Sequence, residues 1–364
     1  MKKVLFVTGS QGLSGGTERA CANIVNRLSR SGQYEVAVLS AANGNRSFFE
    51  TDPRVELREI YSNSGSLQLR AVGFILRLRT FIKEYRPDIV VIVESFLAAF
   101  VLPACFALSV KTINWEHFGA DVSLGTPLRR IARHLAARYS NHVVVLTEAD
   151  RRRWLEKYKI REGRISVIRN MNPLHHSREG REDQGERMKT VLAVGRLVRE
   201  KGYDLLLNAW GRIETEYRIG WRLRLVGDGP LRSELEELAL RLGILEEIEF
   251  AGRRADVANE YKLASIFALS SRFEGFGLVI VEAMTFGLPV VSFNCPDGPG
   301  ELIEHQVSGV LVKHLDIDGM ADALAFLMTS PGVREVIGLR GQANVGRFAP
   351  DDVAREWLTL LAST

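Results

Sequence analysis

The sequence predicts two α/β domains, each a parallel sheet covered by helices, that face each other across a cleft. Three observations predict this fold class. Short β-branched runs alternate with helical patterns through residue 172, a polar segment follows at 173–187, and the alternation then resumes through residue 349. Strands that alternate with helices are typical of parallel sheets with helices on both faces. The 364 residues are also too many for one ordinary core and enough for two.

The first domain is predicted to span residues 1–172, and the C-terminal helix 350–364 is expected to pack back onto it. Its strands are predicted at 3–8, 35–40, 55–60, 89–93, 111–115 and 142–147. Its helices are predicted at 17–31, 67–85 and 126–138, the last with Pro127 at its first position. Ligands of such sheets bind at the carboxyl ends of the strands. The loops that directly follow the strands are therefore the candidate binding segments.

The second domain is predicted at 188–349, after a linker at 173–187 that has almost no apolar residues. Its strands are predicted at 189–195, 222–227, 247–251, 266–270 and 289–293, with helices between them. Two units of this kind favour a ligand site in the cleft between them.

One apolar stretch, 89–110, contains a single charge at Glu94 and is long enough to span a bilayer. Because its first five residues are β-branched and Glu94 with Ser95 forms a polar break, we predict a buried strand followed by a helix at 96–108 that Pro103 kinks. A transmembrane helix is the alternative.

The cysteines and the first residues indicate a reduced, cytoplasmic protein. Cys21, Cys105 and Cys295 lack the spacing of a metal site or a disulfide framework. The apolar run after the start covers only residues 4–7, which is short for a secretory signal.

The charge is unevenly distributed. Residues 1–170 contain 26 Lys and Arg against 15 Asp and Glu, whereas the remainder contains 22 against 29. An electropositive first half predicts an anionic partner for that half.

The first candidate site is the glycine-rich segment 9–16, directly after the first strand. Glycines there allow a backbone to approach a ligand closely, and the following helix start favours anions. A flexible surface turn is the alternative.

The second candidate is the segment 195–202, which places Arg196 and Lys201 after the first strand of the second domain. Two cations there suit a diphosphate, since Arg binds it bidentately and Lys acts as a point charge. A solvated basic loop is the alternative. The turn 227–230 that follows the next strand is predicted to be mainly structural.

The third candidate is the segment 270–282, in which Glu274 and Glu282 are eight residues apart. Gly275 and Gly277 leave backbone N–H groups able to meet phosphate at a helix start. Glu282 lies among apolar residues, and a buried carboxylate accepts hydrogen bonds from two ribose hydroxyls. A solvated surface glutamate is the alternative.

These segments resemble the motifs of one family. EGFGLVIVE (274–282) resembles the E-x7-E motif of the family 4 retaining glycosyltransferases, GRLVREKG (195–202) their second diphosphate motif, and GGTERA (15–20) their N-terminal glycine loop. The resemblance covers nearly the whole chain in the right order. It implies the GT-B fold. The turn at 168–173 departs from the family, because it lacks the usual Pro-Asn-Gly.

The resemblance implies a role for each matched residue. His117 and Glu274 would be the catalytic pair, and the donor diphosphate, donor sugar, ribose and base would each have a set of contacts. These sets are Gly16, Arg196, Lys201, Gly277 and Leu278 for the diphosphate, Glu274, Gly275 and Phe276 for the sugar, Glu282 for the ribose, and Arg253 for the base.

His117 is the candidate for the family's donor-contacting histidine, because it alone of the seven histidines follows a core strand at the expected edge. A packed or capping histidine is the alternative. We expect its neighbours Glu116 and Asp121 to contact the acceptor.

The implied reaction transfers a sugar from a nucleotide-diphospho-sugar with retention and with no cofactor. No metal is expected, since the cations can neutralise the charge of the leaving diphosphate. The segment NCPDGPGE (294–301) resembles a form found in members that use UDP-sugars, so UDP is favoured over GDP.

The expected acceptor is a glycan or a lipid-linked oligosaccharide in bacterial exopolysaccharide, capsule or lipopolysaccharide assembly. In helix 126–138, Leu128, Ile131 and Leu135 lie on one face with Arg129, Arg130, Arg133 and Arg138 around it, which predicts peripheral docking on the inner face of an anionic membrane. An ordinary core helix is the alternative. No nucleic acid is expected, because no aromatic stacking motif accompanies the basic residues.

The sequence is also compatible with two other functions. A sugar-nucleotide epimerase on the same scaffold would convert a UDP-sugar without an acceptor. A non-catalytic subunit would bind the sugar nucleotide for sensing or assembly. Fold class alone does not choose among them.

Overall fold

The computed structural model of the chain describes residues 1–63, 65–178, 187–254 and 256–364. It contains two compact units, one formed by 1–171 with 350–364 and the other by 172–349. Most of the predicted linker, residues 179–186, lies outside the described residues.

The first unit contains a seven-stranded sheet in the order β3-β2-β1-β4-β5-β6-β7, and every neighbouring pair is parallel. The strands are nearly all buried, which explains why the sequence shows continuous apolar runs rather than alternation. They are β1 (Lys2–Thr8), β2 (Tyr34–Ala42), β3 (Glu56–Tyr61), β4 (Ile89–Val93), β5 (Lys111–Trp115), β6 (His142–Val145) and β7 (Ile165–Val167).

Five helices connect these strands: α1 (Gly16–Arg30), α2 (Ala71–Tyr85), α3 (Ala98–Cys105), α4 (Pro127–Tyr139) and α5 (Glu148–Tyr158). Helices α2, α3, α4 and α5 pack in succession. Helix α2 begins at Ala71, four residues later than predicted, and it buries Phe74, Leu78 and Ile82 in the core. Side chains at this i, i+4, i+8 spacing lie on one face of a helix.

The apolar stretch 89–110 is divided among β4, a 3₁₀ turn at Ser95–Leu97 and α3, as its polar break predicts. Phe100 and Val101 of α3 belong to the core of the first unit, and Pro103 lies inside this helix. Among the described residues, every helix is too short or too polar to span a bilayer.

The second unit contains a six-stranded parallel sheet in the order β10-β9-β8-β11-β12-β13. In both sheets the chain winds outward from a central strand in two directions, which is the Rossmann-type order. The strands are β8 (Thr190–Val194), β9 (Arg222–Val226), β10 (Ile248–Gly252), β11 (Ile266–Leu269), β12 (Val290–Phe293) and β13 (Val310–Val312). The helices are α6 (Tyr203–Arg212), α7 (Thr215–Arg218), α8 (Arg232–Arg241), α9 (Val257–Leu263), α10 (Leu278–Thr285), α11 (Pro299–Leu302), α12 (Ile317–Thr329) and α13 (Pro331–Asn344).

The C-terminal helix α14 (Pro350–Ser363) belongs to the first unit and packs against α1. Its Trp357 is buried, with its ring centroid 4.9 Å from that of Trp115 and 6.4 Å from that of Phe6. The end of the chain therefore completes the core beneath β1 and β5, and Trp115 lies two residues before His117.

We predict that Trp357→Ala destabilises the first unit by about 3–5 kcal/mol, because it leaves a large cavity among aromatic side chains. Urea unfolding followed by tryptophan fluorescence measures this loss. Thr359→Ala, at an exposed position of the same helix, is the control and should change stability by less than about 0.5 kcal/mol. Equal stability of the two variants would show that α14 does not contribute to this core.

Candidate functional site

In the second unit, two of the predicted segments lie side by side at the carboxyl edge of the sheet. Gly202 has φ 64°, and a Cβ there would lie 2.1 Å from the carbonyl oxygen of Ser270. The Ser270 Oγ donates to the Lys201 carbonyl oxygen at 3.1 Å, and the Arg272 N–H donates to the Glu200 carbonyl oxygen at 2.8 Å. Only glycine permits this close approach, so the loops after β8 and β11 are joined at residue 202.

This contact brings together Lys201 and Glu274. The Lys201 Nζ lies 2.7 Å from Glu274 Oε1, and the Ser271 Oγ donates to the same oxygen at 2.6 Å. Glu274 is only 9% exposed. The sequence did not predict Ser271, which fixes the carboxylate from within its own loop.

The turn 227–230 supports the loop that carries Arg196. A Cβ at Gly227 would lie 1.9 Å from the Gly195 carbonyl oxygen, and one at Gly229 would lie 2.5 Å from the Leu197 carbonyl oxygen. The Leu197 N–H also donates to the Asp228 carbonyl oxygen at 3.1 Å. This close packing is the structural role predicted for the turn. It leaves Arg196 exposed at the sheet edge.

Gly277 precedes α10 in the left-handed conformation, with φ 88°. Leu278 is the first residue of that helix, so its N–H is among the backbone donors that a helix start offers to an anion. The side chain of Phe276 is buried, and its ring is 5.6 Å from that of Phe348. Phe276 can therefore meet a sugar only through its backbone.

Glu282 lies one turn into α10 and is 2% exposed. The hydroxyl of Tyr261, in α9, donates to Glu282 Oε2 at 2.8 Å. The Tyr261 ring is nearly parallel to that of Phe286 at 5.9 Å. Tyr261 was not predicted, since one aromatic residue in a helical pattern gives no sign of which carboxylate it meets.

The remaining predicted positions of this unit border the same edge. Arg253 directly follows β10 and is exposed. A Cβ at Gly298 would lie 2.6 Å from the Phe276 carbonyl oxygen and 3.1 Å from the Glu274 Cβ. The segment 294–301 therefore packs against the loop that carries Glu274, Gly275 and Phe276.

In the first unit, Gly16 is the first residue of α1, and a Cβ there would have no atom of the described residues within 4 Å. The preceding Gly15 provides no side-chain cap for this helix. The backbone at Gly16 is therefore exposed at the start of α1, and its contact with a ligand stays a prediction.

His117 follows β5 and is buried, with its ring 4.3 Å from that of Trp115. Its Nε2 has no hydrogen-bond partner among the described residues. Burial lowers the pKa of His117 to about 3. The imidazole is therefore neutral at physiological pH.

Glu116 does not fit the predicted acceptor contact, because it is 1% exposed and both its oxygens are occupied. Its Oε1 accepts from the N–H groups of His117 and Phe118 at 3.2 and 3.0 Å, and its Oε2 accepts from Arg133 Nε at 2.8 Å. Asp121, the other predicted acceptor contact, pairs with Lys157.

Arg133 is 1% exposed, so the expectation that it lies with the other arginines around α4 is wrong. Its Nη1 donates to the carbonyl oxygens of Ala120 and Val122 at 3.1 and 2.9 Å. With Glu116 it braces the loop that carries His117. The apolar spacing in α4 pointed to Leu128, Ile131 and Leu135, whereas the buried face consists of Arg133 and small residues.

Within the described residues, no three His, Cys, Asp or Glu side chains are grouped so that they could hold a metal ion.

Two Rossmann-type units with glycine-rich and charged loops at the carboxyl edges of their sheets define the GT-B class. A crystal structure of HepE from Anabaena in complex with UDP and glucose has this fold, with a TM-score of 0.81 and 22% identity over 100% of both chains.

Models of two glycosyltransferase families match the chain. Glycosyltransferase Family 4 matches residues 14–172, and Glycosyl transferases group 1 matches residues 178–343. An uncharacterised glycosyltransferase of Haemophilus influenzae is 32% identical over 361 residues, which are 99% of this chain and 100% of the relative. The chain therefore belongs to the family 4 glycosyltransferases.

Another relative, from Campylobacter jejuni, is 25% identical over 367 residues, 100% of this chain and 99% of that protein. It is named an α-1,4-N-acetyl-D-galactosaminyltransferase, and its named acceptor is a GalNAc-GalNAc-diNAcBac-PP-undecaprenol.

The lowered pKa of His117 predicts a pH-dependent stability. Between about pH 3 and 6.5 the unfolded state takes up a proton that the folded state does not, so the contribution of the neutral ring is complete above pH 6.5 and is lost as the pH falls. Relative to His117→Gln, the wild-type free energy of unfolding should fall by about 1–2 kcal/mol between pH 7 and 5.

Denaturant unfolding at each pH measures the difference. His134→Gln, at an exposed position of α4, is the control and should keep the wild-type slope. A wild-type slope in His117→Gln as well would contradict a neutral, buried His117.

Proposed function

We propose that this protein is a retaining, metal-independent glycosyltransferase that transfers a sugar from a UDP-sugar to a lipid-linked glycan. The observation that carries the proposal is the Lys201–Glu274 pair, held by Ser271 at the sheet edge and close in sequence to the start of α10.

Arg196 and Lys201 would bind the donor diphosphate, together with the N–H groups of Gly277 and Leu278 and the open backbone at Gly16. An ammonium has three donors, and one of those of Lys201 goes to Glu274. Lys201 can therefore hold the carboxylate and a phosphate oxygen at the same time. These groups would stabilise the negative charge that develops on the leaving phosphate, which is the task a metal ion performs elsewhere.

Glu274 and the backbone of Gly275 and Phe276 would bind hydroxyls of the transferred sugar. Glu282 would bind the ribose, and Arg253 would meet the base. UDP is favoured over GDP because segment 294–301 resembles the form found in members that use UDP-sugars, and this segment packs against the loop that carries Glu274.

In the proposed reaction, the bond between the anomeric carbon and the phosphate oxygen breaks as the bond to the acceptor oxygen forms on the same face. The acceptor hydroxyl passes its proton to the leaving phosphate. His117 would contact the donor sugar near the reacting carbon. A neutral imidazole suits this position, since an imidazolium would repel the positive charge that develops on the sugar.

The C. jejuni relative supports a lipid-linked acceptor, because its named acceptor is a glycan on undecaprenyl diphosphate. We therefore infer a role in bacterial exopolysaccharide, capsule or lipopolysaccharide assembly on the cytoplasmic side of the membrane. Contact with the anionic membrane surface would bring the enzyme to this acceptor. On α4, Ile131 is exposed and Arg130 and Arg138 flank it, so this helix retains part of the predicted docking surface.

The direct test is hydrolysis of a panel of UDP-, GDP- and ADP-sugars in EDTA without acceptor, read as released nucleoside diphosphate. We expect slow release from one UDP-sugar, reduced at least about a hundredfold in Glu274→Ala. Glu237→Ala, which removes an exposed carboxylate from α8, is the matched control.

Four outcomes would contradict the proposal. A requirement for a divalent metal would remove the metal-independent mechanism. Conversion of the donor to an epimer without release would indicate an epimerase. Nucleotide binding with no turnover even when lipid-linked acceptors are supplied would indicate a non-catalytic subunit. An inverted anomeric configuration in the product, measured by NMR, would overturn retention.

Tyr261 provides a finer test of the ribose contact. We predict that Tyr261→Phe raises the Kd for UDP about fivefold, because Glu282 loses one hydrogen bond that orients it. The rate of donor hydrolysis at saturation should change less than about twofold, since the ribose lies away from the reacting carbon. Calorimetry and the release assay measure the two values. Tyr139→Phe, at an exposed position, is the control, and an unchanged Kd in Tyr261→Phe would argue against Glu282 as the ribose ligand.

A further inference from the structure

Three exposed apolar side chains lie along one side of α2 and the turn before it. Leu69 is 90% exposed, Val72 73% and Leu76 60%. Their spacing of three and four residues places Val72 and Leu76 on one side of the helix, with Leu69 one turn before them. Leu69 is the most exposed of the large hydrophobic side chains that the structure describes.

A fourth exposed apolar residue, Phe106, lies next to α2. It is 77% exposed and follows α3. The Arg79 Nη1 donates to the carbonyl oxygens of Ala104 and Phe106 at 2.9 and 2.7 Å, which holds the end of α3 against α2. We call Leu69, Val72, Leu76 and Phe106 the α2 face.

The α2 face is not needed to complete the core. The opposite side of α2 buries Phe74, Leu78 and Ile82, each with 2% or less of its surface exposed. Three large exposed apolar side chains on one side of a helix, with a fourth exposed residue next to that helix and the core already filled, mark an interaction site.

The charges around the α2 face indicate the chemistry of its partner. Arg70 and Arg77 flank it, with their guanidinium carbons 5.0 and 5.1 Å from the Tyr61 ring centroid. Residues 69–86 contain five Lys and Arg and one acidic residue, Glu84. An apolar face with basic flanks is complementary to the interface of an anionic bilayer, where the apolar side chains enter the acyl boundary and the cations meet phosphate groups.

The sheet topology places one end of the α2 face near the sheet edge that carries His117. Helix α2 connects the carboxyl end of β3 to the amino end of β4 in a parallel sheet, so its first residues lie towards the carboxyl edge. His117 follows β5 at that same edge. A glycan that extends from a membrane at the Leu69 end of the face would therefore emerge on the side of the sheet that carries His117.

We propose that the α2 face docks this protein on anionic phospholipid bilayers and is its principal membrane-binding surface. This proposal identifies the surface that makes the membrane contact proposed above. Its functional purpose rests on the proposed lipid-linked acceptor. Its geometry is independent of the donor site.

The test is co-sedimentation of the full chain with vesicles of phosphatidylcholine, with and without phosphatidylglycerol. The wild type should bind the mixed vesicles, and Leu69→Ser, Val72→Ser and Leu76→Ser combined should lower the partition constant at least about tenfold. Arg77→Gln should weaken binding to the mixed vesicles only. The matched control is Ile219→Ser with Leu240→Ser, which removes two similarly exposed apolar side chains from the second unit and should leave binding unchanged.

Several results would overturn the proposal. These are an absence of wild-type binding, equal loss in the control variant, or loss with Ile131→Ser in α4 but not with the triple variant. Light scattering that shows a wild-type dimer, abolished by the triple variant, would show that a second copy covers this face instead. Donor hydrolysis, measured in solution on the same proteins, separates failed docking from a failed donor assignment, because the α2 face contains none of the proposed donor contacts.

Discussion

The close approach of Gly202 to the carbonyl of Ser270 is the constraint on which the second unit's site depends. Without a side chain at residue 202, the loops after β8 and β11 can share hydrogen bonds, and Lys201 then reaches Glu274. Any Cβ there would push the loops apart and separate the cation from the carboxylate. The charge arrangement at this edge is therefore set by backbone packing rather than by the two charged residues alone.

In the first unit, a buried ion pair holds the corresponding loop in place. Arg133 and Glu116 are almost fully buried, and the Arg133 Nη1 and the Glu116 Oε1 each bond to backbone groups of the loop 116–122. A buried ion pair contributes little net stability, but losing one partner leaves the other unpaired in a medium of low polarity. The pair therefore serves to fix the loop that carries His117, whose own neutrality follows from the same burial.

The two units thus share the same sheet architecture but carry different functional groups at the carboxyl edges of their sheets. In each, the sheet interior is apolar and the carboxyl edge carries the charged groups, which loops of a parallel sheet present together. The edge of the second unit is rich in groups that suit a diphosphate, a ribose and a sugar, whereas that of the first unit offers the open backbone at Gly16 and the neutral ring of His117. The external helices of the first unit add an apolar, basic surface that the second unit's site does not require.

The sequence by itself predicted eleven of the thirteen strands that the structure describes, many of the helices and the segments that carry the site, because apolar periodicity and glycine positions are local properties of the chain. It did not predict β7 and β13, whose three residues each are too few to show a pattern. It also gave the family, through the motifs at 195–202 and 274–282. The tertiary structure decided which side chains meet. Tyr261 reaches Glu282, and Arg133 turns inward to Glu116, because packing between distant elements selects partners that no local spacing encodes. Exposure is likewise a tertiary property. From the sequence alone Leu69 would be expected in the core, but the fold leaves its side chain exposed to solvent.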